Sequence, residues 1–428
     1  MSPMVVTLAI LIVALLVRIP IAFAMLLAAL YYFLATPTPS DIIAQNVVMS
    51  LASFPLLAVP FFVLAGTIMA RGGIAHRIIE VADAIIGHRP GGLGQVTVFN
   101  SLLMGGMTGS ANADAAIDSK VLVPEMVRRG YSNSFASALA AATGVIAPII
   151  PPGIGLIVYG LLAQVSIGRL FIAGIIPGLL IAIALATAVR LIAARRGYVG
   201  VRDTRLPARD VLATVRRAGW ALMMPVLLIV GLRMGVFTPT ELGAMAAFYA
   251  LTVGMFAYRE IALRDLPRIL REAALTNGVI MLIIAAASAF STPIVQERVP
   301  QRIADSMLAL TENPVLLLLL INLLLLALGT VFEALALMIM LTPILAPLAG
   351  TLGVDPVHFG VIVVLNITIG AITPPIGTVL YTVCSITGSS IEDYSREIVP
   401  FLLALIVVLL VVTFVPQVSL LLPGWFMG

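Results

Sequence analysis

The stretch Gly105-Gly106-Met107-Thr108-Gly109-Ser110-Ala111-Asn112-Ala113-Asp114 decides the fold of this chain. It lies within a very apolar sequence, yet it is rich in glycine and in small polar side chains. A second interruption follows at Ala147-Pro148-Ile149-Ile150-Pro151-Pro152-Gly153. Because an unpaired backbone amide is costly in lipid, non-helical backbone at membrane depth survives only where it lines a cavity or is buried in protein. The two stretches therefore predict helices that are interrupted inside a membrane.

The composition indicates an integral membrane protein made of helices. The 428 residues are 61% hydrophobic and 10% charged, whereas a soluble domain has about 25% charged residues. One cysteine and three scattered histidines exclude a disulfide framework and argue against a transition-metal site, so no cofactor is expected. The net charge of +4 comes from arginines in loops, which indicate topology rather than a nucleic-acid surface.

A second copy of the pattern lies about 220 residues further along, at Gly329-Thr330-Val331-Phe332-Glu333 and at residues 370–377. Pro151-Pro152 aligns with Pro374-Pro375 at an offset of 223, which pairs Thr143 with Asn366. Glycine- and proline-interrupted hydrophobic segments in matching places of two halves point to a transport site.

The hairpin before each proline pair aligns at a different offset. Pro124 falls on Pro343 at an offset of 219, and the same offset pairs Asp114 with Glu333. We therefore expect a four-residue insertion in the loop between the hairpin and the broken helix.

The predicted fold is all-α, with two repeats of inverted topology, because each half has an odd number of crossings. Each repeat contains a re-entrant hairpin and a broken transmembrane helix. The most basic segment is expected to be cytoplasmic, since short basic loops stay inside. Whether residues 4–35 cross once or twice stays open. The predicted divisions are a first repeat over 1–194 (hairpin about 94–129, broken helix about 133–165), a basic linker over 195–217, and a second repeat over 218–428 (hairpin about 314–350, broken helix about 357–388).

At these motifs the sequence resembles the large membrane subunit of tripartite ATP-independent periplasmic (TRAP) transporters, the DctM-type permease of the ion transporter superfamily. The resemblance covers nearly the whole chain, at Gly72–Ala75, Gly105–Asp114, Pro124–Tyr131, Pro148–Pro152, Gly329–Glu333 and Ile372–Thr378.

The resemblance implies a scaffold and an elevator-type transport region that holds both hairpins. It also implies a bacterial inner-membrane location, sodium coupling, a four-helix small permease subunit, and a periplasmic binding protein that delivers an organic acid. C4-dicarboxylates, sialic acid and other sugar acids are the substrates of such proteins.

Two sodium sites are expected where each hairpin tip faces a broken helix, because half-helix ends supply free carbonyls for a cation. The hydroxyls of Ser110, Thr330 and Thr373 have an alternative role, which is to bond back to the preceding helical turn. The predicted ligands are Gly109, Ser110, Asn112, Gly144, Ala147 and Pro148 in the first site, and Gly329, Thr330, Gly370 and Thr373 in the second.

Substrate contacts are predicted near the same tips and breaks. Asn112 has an alternative role as the N-cap of the hairpin's second arm. Asp114 and Glu333 have the alternative role of favourable negative charges in the first turn of a helix. Asp118 and Lys120 depart from the family pattern, and they either lie near the cytoplasmic mouth or adjust the substrate preference. The predicted substrate-binding residues are Asn112, Asp114, Thr143, Glu333, Asn366 and Thr378.

The predicted function is a secondary, ion-coupled importer of organic acids. The sequence has no Gly-x-x-x-x-Gly-Lys phosphate loop, so ATP is not expected to drive it. An alternative is a stand-alone dicarboxylate symporter or ion antiporter of the same superfamily that uses no binding protein. Protons could replace sodium, although the few buried acids argue mildly against this. An enzyme is disfavoured, because no His-x-x-x-His pair or nucleophile elbow occurs.

Overall fold

A computed structural model of the chain describes residues 2–17, 19–37, 39, 41–52, 54–198, 200, 204–233, 237–299, 301–302, 305 and 313–427. Every regular element in these ranges is a helix. Five of the described helices are long and apolar enough to cross a membrane, or up to seven if two sharply bent helix pairs each count as one span. The prediction of an all-α membrane protein is confirmed.

The first half begins with helices that surround its central hairpin. Residues 3–35 form two helices that pack against each other, separated by a short break. The helices of this part are α1 (Pro3–Leu16), α2 (Ile21–Ala35), α3 (Asp41–Leu51), α4 (Ala58–Arg71) and α5 (Ile74–Ile86). The second half begins with α11 (Ala208–Arg217), α12 (Gly219–Arg233), α13 (Pro239–Thr252) and α14 (Leu266–Gln296).

Helices α2, α3, α4, α13 and α14 pack on one another, and we call this group the scaffold. Side-chain hydrogen bonds join the scaffold helices at several depths. Asn46 on α3 donates to the Thr292 hydroxyl on α14 at 2.6 Å, and Asn277 on α14 donates to the Pro60 carbonyl on α4 at 3.3 Å. The close approach of α4 and α13 depends on Gly243, where a Cβ would lie 3.0 Å from the Cβ of Phe61.

Each half then contributes a helical hairpin. The first hairpin joins α6 (Gly92–Thr108) to α7 (Ala111–Arg128), and the second joins α15 (Pro314–Gly329) to α16 (Ala334–Thr351). The first tip is tight because Gly109 adopts a φ of +58°, a left-handed conformation that suits glycine. Ser110 then caps α7, and Glu333 caps α16 at the corresponding point of the second hairpin.

A broken helix follows each hairpin. In the first half α8 (Asn133–Gly144) stops and α9 (Ile154–Leu162) resumes after the proline pair. In the second half α17 (Pro356–Ile372) stops and α18 (Thr378–Thr387) resumes. Prolines favour such a break because they lack the amide proton and clash with the preceding turn. The remaining helices are α10 (Ile167–Arg196), α19 (Ile391–Phe414) and α20 (Gln417–Met427).

The two broken helices run in opposite directions. Tyr159, near the end of α9, donates a hydrogen bond of 3.0 Å to the carbonyl of Pro356, the first residue of α17. At the other end Ser137, in α8, donates to the hydroxyl of Thr387, the last residue of α18, at 2.9 Å. The end of each broken helix therefore lies beside the start of the other. This is the arrangement expected of two repeats with inverted topology.

One offset relates the two copies from the hairpin's second arm into the broken helix. The first residues of α7 and α16, Ala111 and Ala334, are 223 positions apart, and so are their last residues. The predicted offset of 219 for the hairpin, with its four-residue insertion, is wrong. Helix α16 contains Pro343 and Pro347, one turn apart, and the second of them corresponds to Pro124.

This correction changes which residues are equivalent. Ser110 corresponds to Glu333, because both cap the second arm of their hairpin. Asp114 then corresponds to Leu337, and the predicted pairing of Asp114 with Glu333 is wrong. The second repeat therefore carries its acidic residue at the hairpin tip, whereas the first carries it one turn inside the arm.

Candidate functional site

The tip of the first hairpin lies against the first break, backbone against backbone. The amide of Ile154 donates a hydrogen bond of 3.1 Å to the carbonyl of Gly109. A Cβ at Gly105 would lie 2.9 Å from the Cα of Ala147, and one at Gly144 would lie 2.8 Å from the carbonyl oxygen of Ala111. The structure therefore brings together the tip and break residues of the first predicted sodium site.

The second tip contacts the second break in the same way. The amide of Gly377 donates to the carbonyl of Thr330 at 2.8 Å. Gly329 and Gly370 face each other so closely that a Cβ on Gly370 would lie 2.6 Å from the Cα of Gly329. The tip and break residues of the second predicted sodium site are therefore also adjacent.

The hydroxyls of the two predicted sites differ in their hydrogen bonds. Thr330 donates to the Ala327 carbonyl at 2.8 Å, and Thr373 donates to the Ile369 carbonyl at 2.7 Å, so both bond back to the preceding turn. Ser110 instead accepts the amide of Ala113 at 3.5 Å. A hydroxyl that donates its proton keeps its oxygen lone pairs, so all three oxygens can still accept a cation.

The break also holds carbonyls with spare capacity. No backbone amide of a described residue donates to the carbonyl of Ala147 or to that of Pro148. Because a carbonyl oxygen has two lone pairs, these groups can serve as cation ligands without any ionisable side chain.

Asn112 does not have the capping role considered for it. Ser110 is the N-cap of α7, and Asn112 lies one residue into the helix. Its side-chain oxygen accepts a hydrogen bond of 3.2 Å from Thr382 on α18. This contact joins the first hairpin tip to the resumed half of the other broken helix.

A cavity of about 650 Å³ separates the two hairpin tips from the scaffold. The first tip contributes Thr108, Ser110 and Ala113, and the second contributes Glu333 and Ala336. The scaffold side is formed by α4, by one face of α14 and by the first residue of α2. The scaffold residues are Ile21, Val63, Gly66, Thr67, Ala70, Glu272, Thr276, Val279, Ile280 and Ile283.

The charges that line this cavity are already compensated. Glu333 accepts the amide of Ala336 at 2.8 Å, so its carboxylate lies at the positive end of α16. Glu272 accepts two hydrogen bonds from Arg71, at 2.5 and 3.0 Å. The N-terminus of α7 also faces the cavity; its cap is the neutral Ser110, and Asp114 is the acidic residue of its first turn.

Two predicted substrate ligands point away from this cavity. Asn366 is fully buried and donates to the side chain of Asn322 at 2.7 Å. Thr143 is fully buried and donates to the carbonyl of Leu139 at 3.0 Å. Neither residue lines the cavity between the tips and the scaffold. Thr378 begins α18, and its hydroxyl oxygen is buried beside the second break.

Asp114 also lies behind the tip rather than in the cavity wall. It is 1% exposed, and Asp118, one turn further along α7, is fully buried. Lys120 is exposed on the same helix. The first arm and α8 surround the two carboxyl groups with neutral polar side chains.

Sequence reasoning missed the scaffold side of the cavity. Thr67, Glu272 and Thr276 lie outside the glycine and proline motifs that mark the tips and the breaks. A weak signal was present, because Glu272 and Thr276 are spaced one turn apart at the start of a long apolar helix.

Comparisons with known proteins show the family to which the chain belongs. Residues 8–418 match the family described as "Tripartite ATP-independent periplasmic transporter, DctM component". The chain is 40% identical over 410 residues to the sialic acid TRAP transporter large permease protein SiaM of Vibrio cholerae, covering 96% of each chain. It is also 40% identical over 412 residues to the isethionate TRAP transporter permease protein DctMQ of Oleidesulfovibrio alaskensis, covering 96% of this chain and 65% of that protein.

A solved structure shares the fold at low sequence identity. The YdaH transporter of Alcanivorax borkumensis, whose crystal structure reveals an unusual topology, superposes with a TM-score of 0.60. The two chains are 17% identical, and the match covers 91% of each. This likeness supports the helical transporter fold.

Proposed function

The chain belongs to the DctM family of TRAP transporters, and on that premise we propose that it imports an organic acid across the bacterial inner membrane with sodium as the coupling ion. It is a multi-pass membrane protein and a large permease component, as its motifs predicted. In the proposed cycle the two hairpins and two broken helices move as one body past the scaffold, carrying substrate and ions.

The observation that carries this proposal is the position of the cavity. Its walls come from two groups of helices, the hairpin tips on one side and α4 and α14 on the other. A substrate held there would lie against the hairpin tips at their boundary with the scaffold, where movement of the hairpins could carry it past the scaffold. The cavity is large enough for a small organic acid, since ligand pockets have volumes of about 300–1,000 Å³.

The chemistry of the cavity suits an organic acid with hydroxyl groups. The N-terminus of α7, which is capped by the neutral Ser110, offers backbone amides to a carboxylate. The hydroxyls of Thr67 and Thr276 offer hydrogen bonds to polar substituents. We place the substrate carboxylate beside Ser110 and the rest of the molecule between Glu333 and α14.

Sodium coupling is supported by the two contacts between a tip and a break. In each, glycines at or near helix ends let the tip approach the break closely, and backbone carbonyls and hydroxyl groups lie in both segments. A cation bound at either contact would hold the tip in place and complete the cavity wall, so substrate affinity would depend on sodium.

The experiment that tests this function is uptake by proteoliposomes that contain the chain with its small permease subunit. A candidate acid is presented by its periplasmic binding protein across an inward sodium gradient. We expect uptake only with both the gradient and the binding protein. Equal uptake without the binding protein would favour the stand-alone symporter, and uptake without sodium would contradict the coupling.

A paired variant tests the proposed ligands. Ser110→Ala combined with Thr373→Ala should raise the sodium concentration for half-maximal uptake by about 10-fold, equivalent to about 1.4 kcal/mol. In choline chloride the variant should stay folded, with an unfolding temperature lowered only by the loss of the Ser110 cap of α7. An unaltered sodium dependence would remove both hydroxyls from the sites.

A further inference from the structure

A cluster of buried oxygen atoms lies inside the first hairpin, behind its tip. Asp114 and Asp118 are one turn apart on α7, so their side chains share a face of the helix. Asn100 donates to one oxygen of Asp118 at 2.8 Å, and Ser101 donates to the other at 3.0 Å. Thr143 on α8 completes the cluster, with its hydroxyl 3.5 Å from Asp118.

The hydrogen bonds of this cluster are incomplete. Both carboxylate oxygens of Asp114 and the side-chain oxygen of Asn100 are buried without a hydrogen bond of good geometry from a described residue, because the single hydroxyl proton of Ser101, which lies near both acids, is donated to Asp118. Asp114 is 1% exposed and lies close enough to Asp118 for the two charges to interact. Three unbonded oxygens are therefore buried in a cluster that already holds two acidic groups.

No described basic group balances these acids. The side chains that face them from α6 and α8 are Asn100, Ser101 and Thr143, all of them neutral. An unpaired buried charge costs several kcal/mol, as an order of magnitude, unless a partner compensates it. Two neighbouring carboxyl groups without a protein counter-charge, one of them with both oxygens unbonded, indicate that a cation belongs between them.

The fold itself does not need acids at these positions. Under the offset of 223 that relates the two second arms, Asp114 and Asp118 correspond to Leu337 and Leu341. Leu337 is fully buried in the second hairpin. The same helix can therefore pack this face with leucine, and the acid pair serves a purpose specific to the first repeat.

We propose that Asp114, Asp118 and the side-chain oxygen of Asn100 bind a small hard cation, Na⁺, at a site separate from the two contacts between tip and break. Hard cations prefer several oxygen ligands, carboxylates and amide oxygens among them. The site lies one to two helical turns inside the hairpin, about 6–12 Å from the tip at 1.5 Å per residue. A cation here would be carried with the hairpin.

Binding at this site is testable without any transport assay. The purified protein is unfolded by heat in NaCl and in choline chloride, as wild type, as Asp118→Asn, and as Ser119→Ala. Ser119 is the matched control, because it is buried on the same helix and has an unbonded hydroxyl oxygen outside the acid pair. The wild type and both variants are also prepared with Ser110→Ala and Thr373→Ala, two substitutions that should weaken the proposed sodium sites at the tips.

In that background, sodium should still raise the unfolding temperature of the control, and Asp118→Asn should lose most of this rise. In choline chloride, Asp118→Asn should unfold at the same temperature as wild type or higher, because it removes an unbalanced buried charge. A purely structural aspartate would give the opposite result, a lower unfolding temperature in both salts. If sodium raises the unfolding temperature of Asp118→Asn as much as that of the control, the proposed cation site is wrong. It is also wrong if acidic pH raises the unfolding temperature of the wild type and sodium does not, because the acid pair then binds a proton.

The link between this site and transport rests on the proposed function and has its own readout. In proteoliposomes, Asp118→Asn should lower the Hill coefficient for sodium by about one, and Ser119→Ala should leave it unchanged. If no variant transports with sodium, the proposed function fails, and the unfolding experiment still decides the cation site. If Asp118→Asn gives the expected unfolding result but leaves the Hill coefficient unchanged, the cation binds at this site but is not coupled to transport. That outcome contradicts the proposal that the hairpin carries the cation.

Discussion

Single glycines set the distance between each hairpin tip and its break. At the second contact Gly329 and Gly370 meet through their main chains, and at the first Gly105 meets the backbone of Ala147. A side chain at these positions would clash with backbone atoms, which cannot move aside as the end of a flexible side chain can. The glycines thus allow carbonyls from two segments to converge.

Replacing Gly370 by alanine should open the second contact. The added Cβ would lie 2.6 Å from the Cα of Gly329, and overpacking of this kind costs about 1–3 kcal/mol. We expect a lower unfolding temperature and a loss of sodium-dependent uptake. Gly350→Ala is the matched control, because Gly350 is also helical and a Cβ there meets nothing within 4 Å. If Gly370→Ala unfolds at the temperature of the control, the close contact is not required.

At the scale of residues, the sequence predicts some site positions and misses others. Ser110 and Glu333 were predicted because they lie beside the glycine motifs, and both line the cavity. Thr143 and Asn366 lie equally close to the breaks in sequence. Each is on a fully buried stretch of helix, however, and bonds to neighbouring helices. Distance along the chain does not determine the direction of a side chain, which depends on how the helix is rotated against its neighbours.

The elements repeat more regularly than the sequence suggests. Helices α7 and α16 have the same length and are related by one offset, although one begins after a serine and the other after a glutamate. The hairpins and broken helices could be predicted because glycine and proline mark their ends. The register was harder, because two prolines one turn apart in α16 gave two possible alignments.

The antiparallel arrangement of the broken helices can be tested by a disulfide. Ser137→Cys and Thr387→Cys place two sulfur atoms where the hydroxyl oxygens now lie 2.9 Å apart, within the range that small side-chain shifts can bridge. In a Cys384→Ser background, mild oxidation should form an intramolecular disulfide in the double variant.

Mass spectrometry of peptides measures this product. The control pairs Ser137→Cys with Thr351→Cys, which occupies the last position of α16 instead of α18. Equal cross-linking in the control, or none in the test pair, would mean that the end of α18 does not lie beside the start of α8.

At the scale of the whole molecule, the candidate substrate cavity lies between two groups of helices. The cavity needs the hairpin tips from both repeats and the scaffold face of α14 from the second. The motifs predict the first wall but not the second, because the position of the scaffold against the tips depends on many apolar contacts without a local signature. Thr276 and Glu272 could therefore be found only in three dimensions.

The central claim is that the hairpins move past the scaffold while the cavity holds its cargo, and one cross-link tests it most directly. Ala113→Cys on the first hairpin and Thr276→Cys on α14 are exposed positions on opposite walls of the cavity. A flexible, reducible bifunctional thiol reagent should join them in a Cys384→Ser background. Single-cysteine variants serve as controls for labelling alone. We predict that cross-linked protein loses sodium-driven uptake by 10-fold or more, and that reduction restores it. Full uptake by protein shown to be cross-linked would contradict the account.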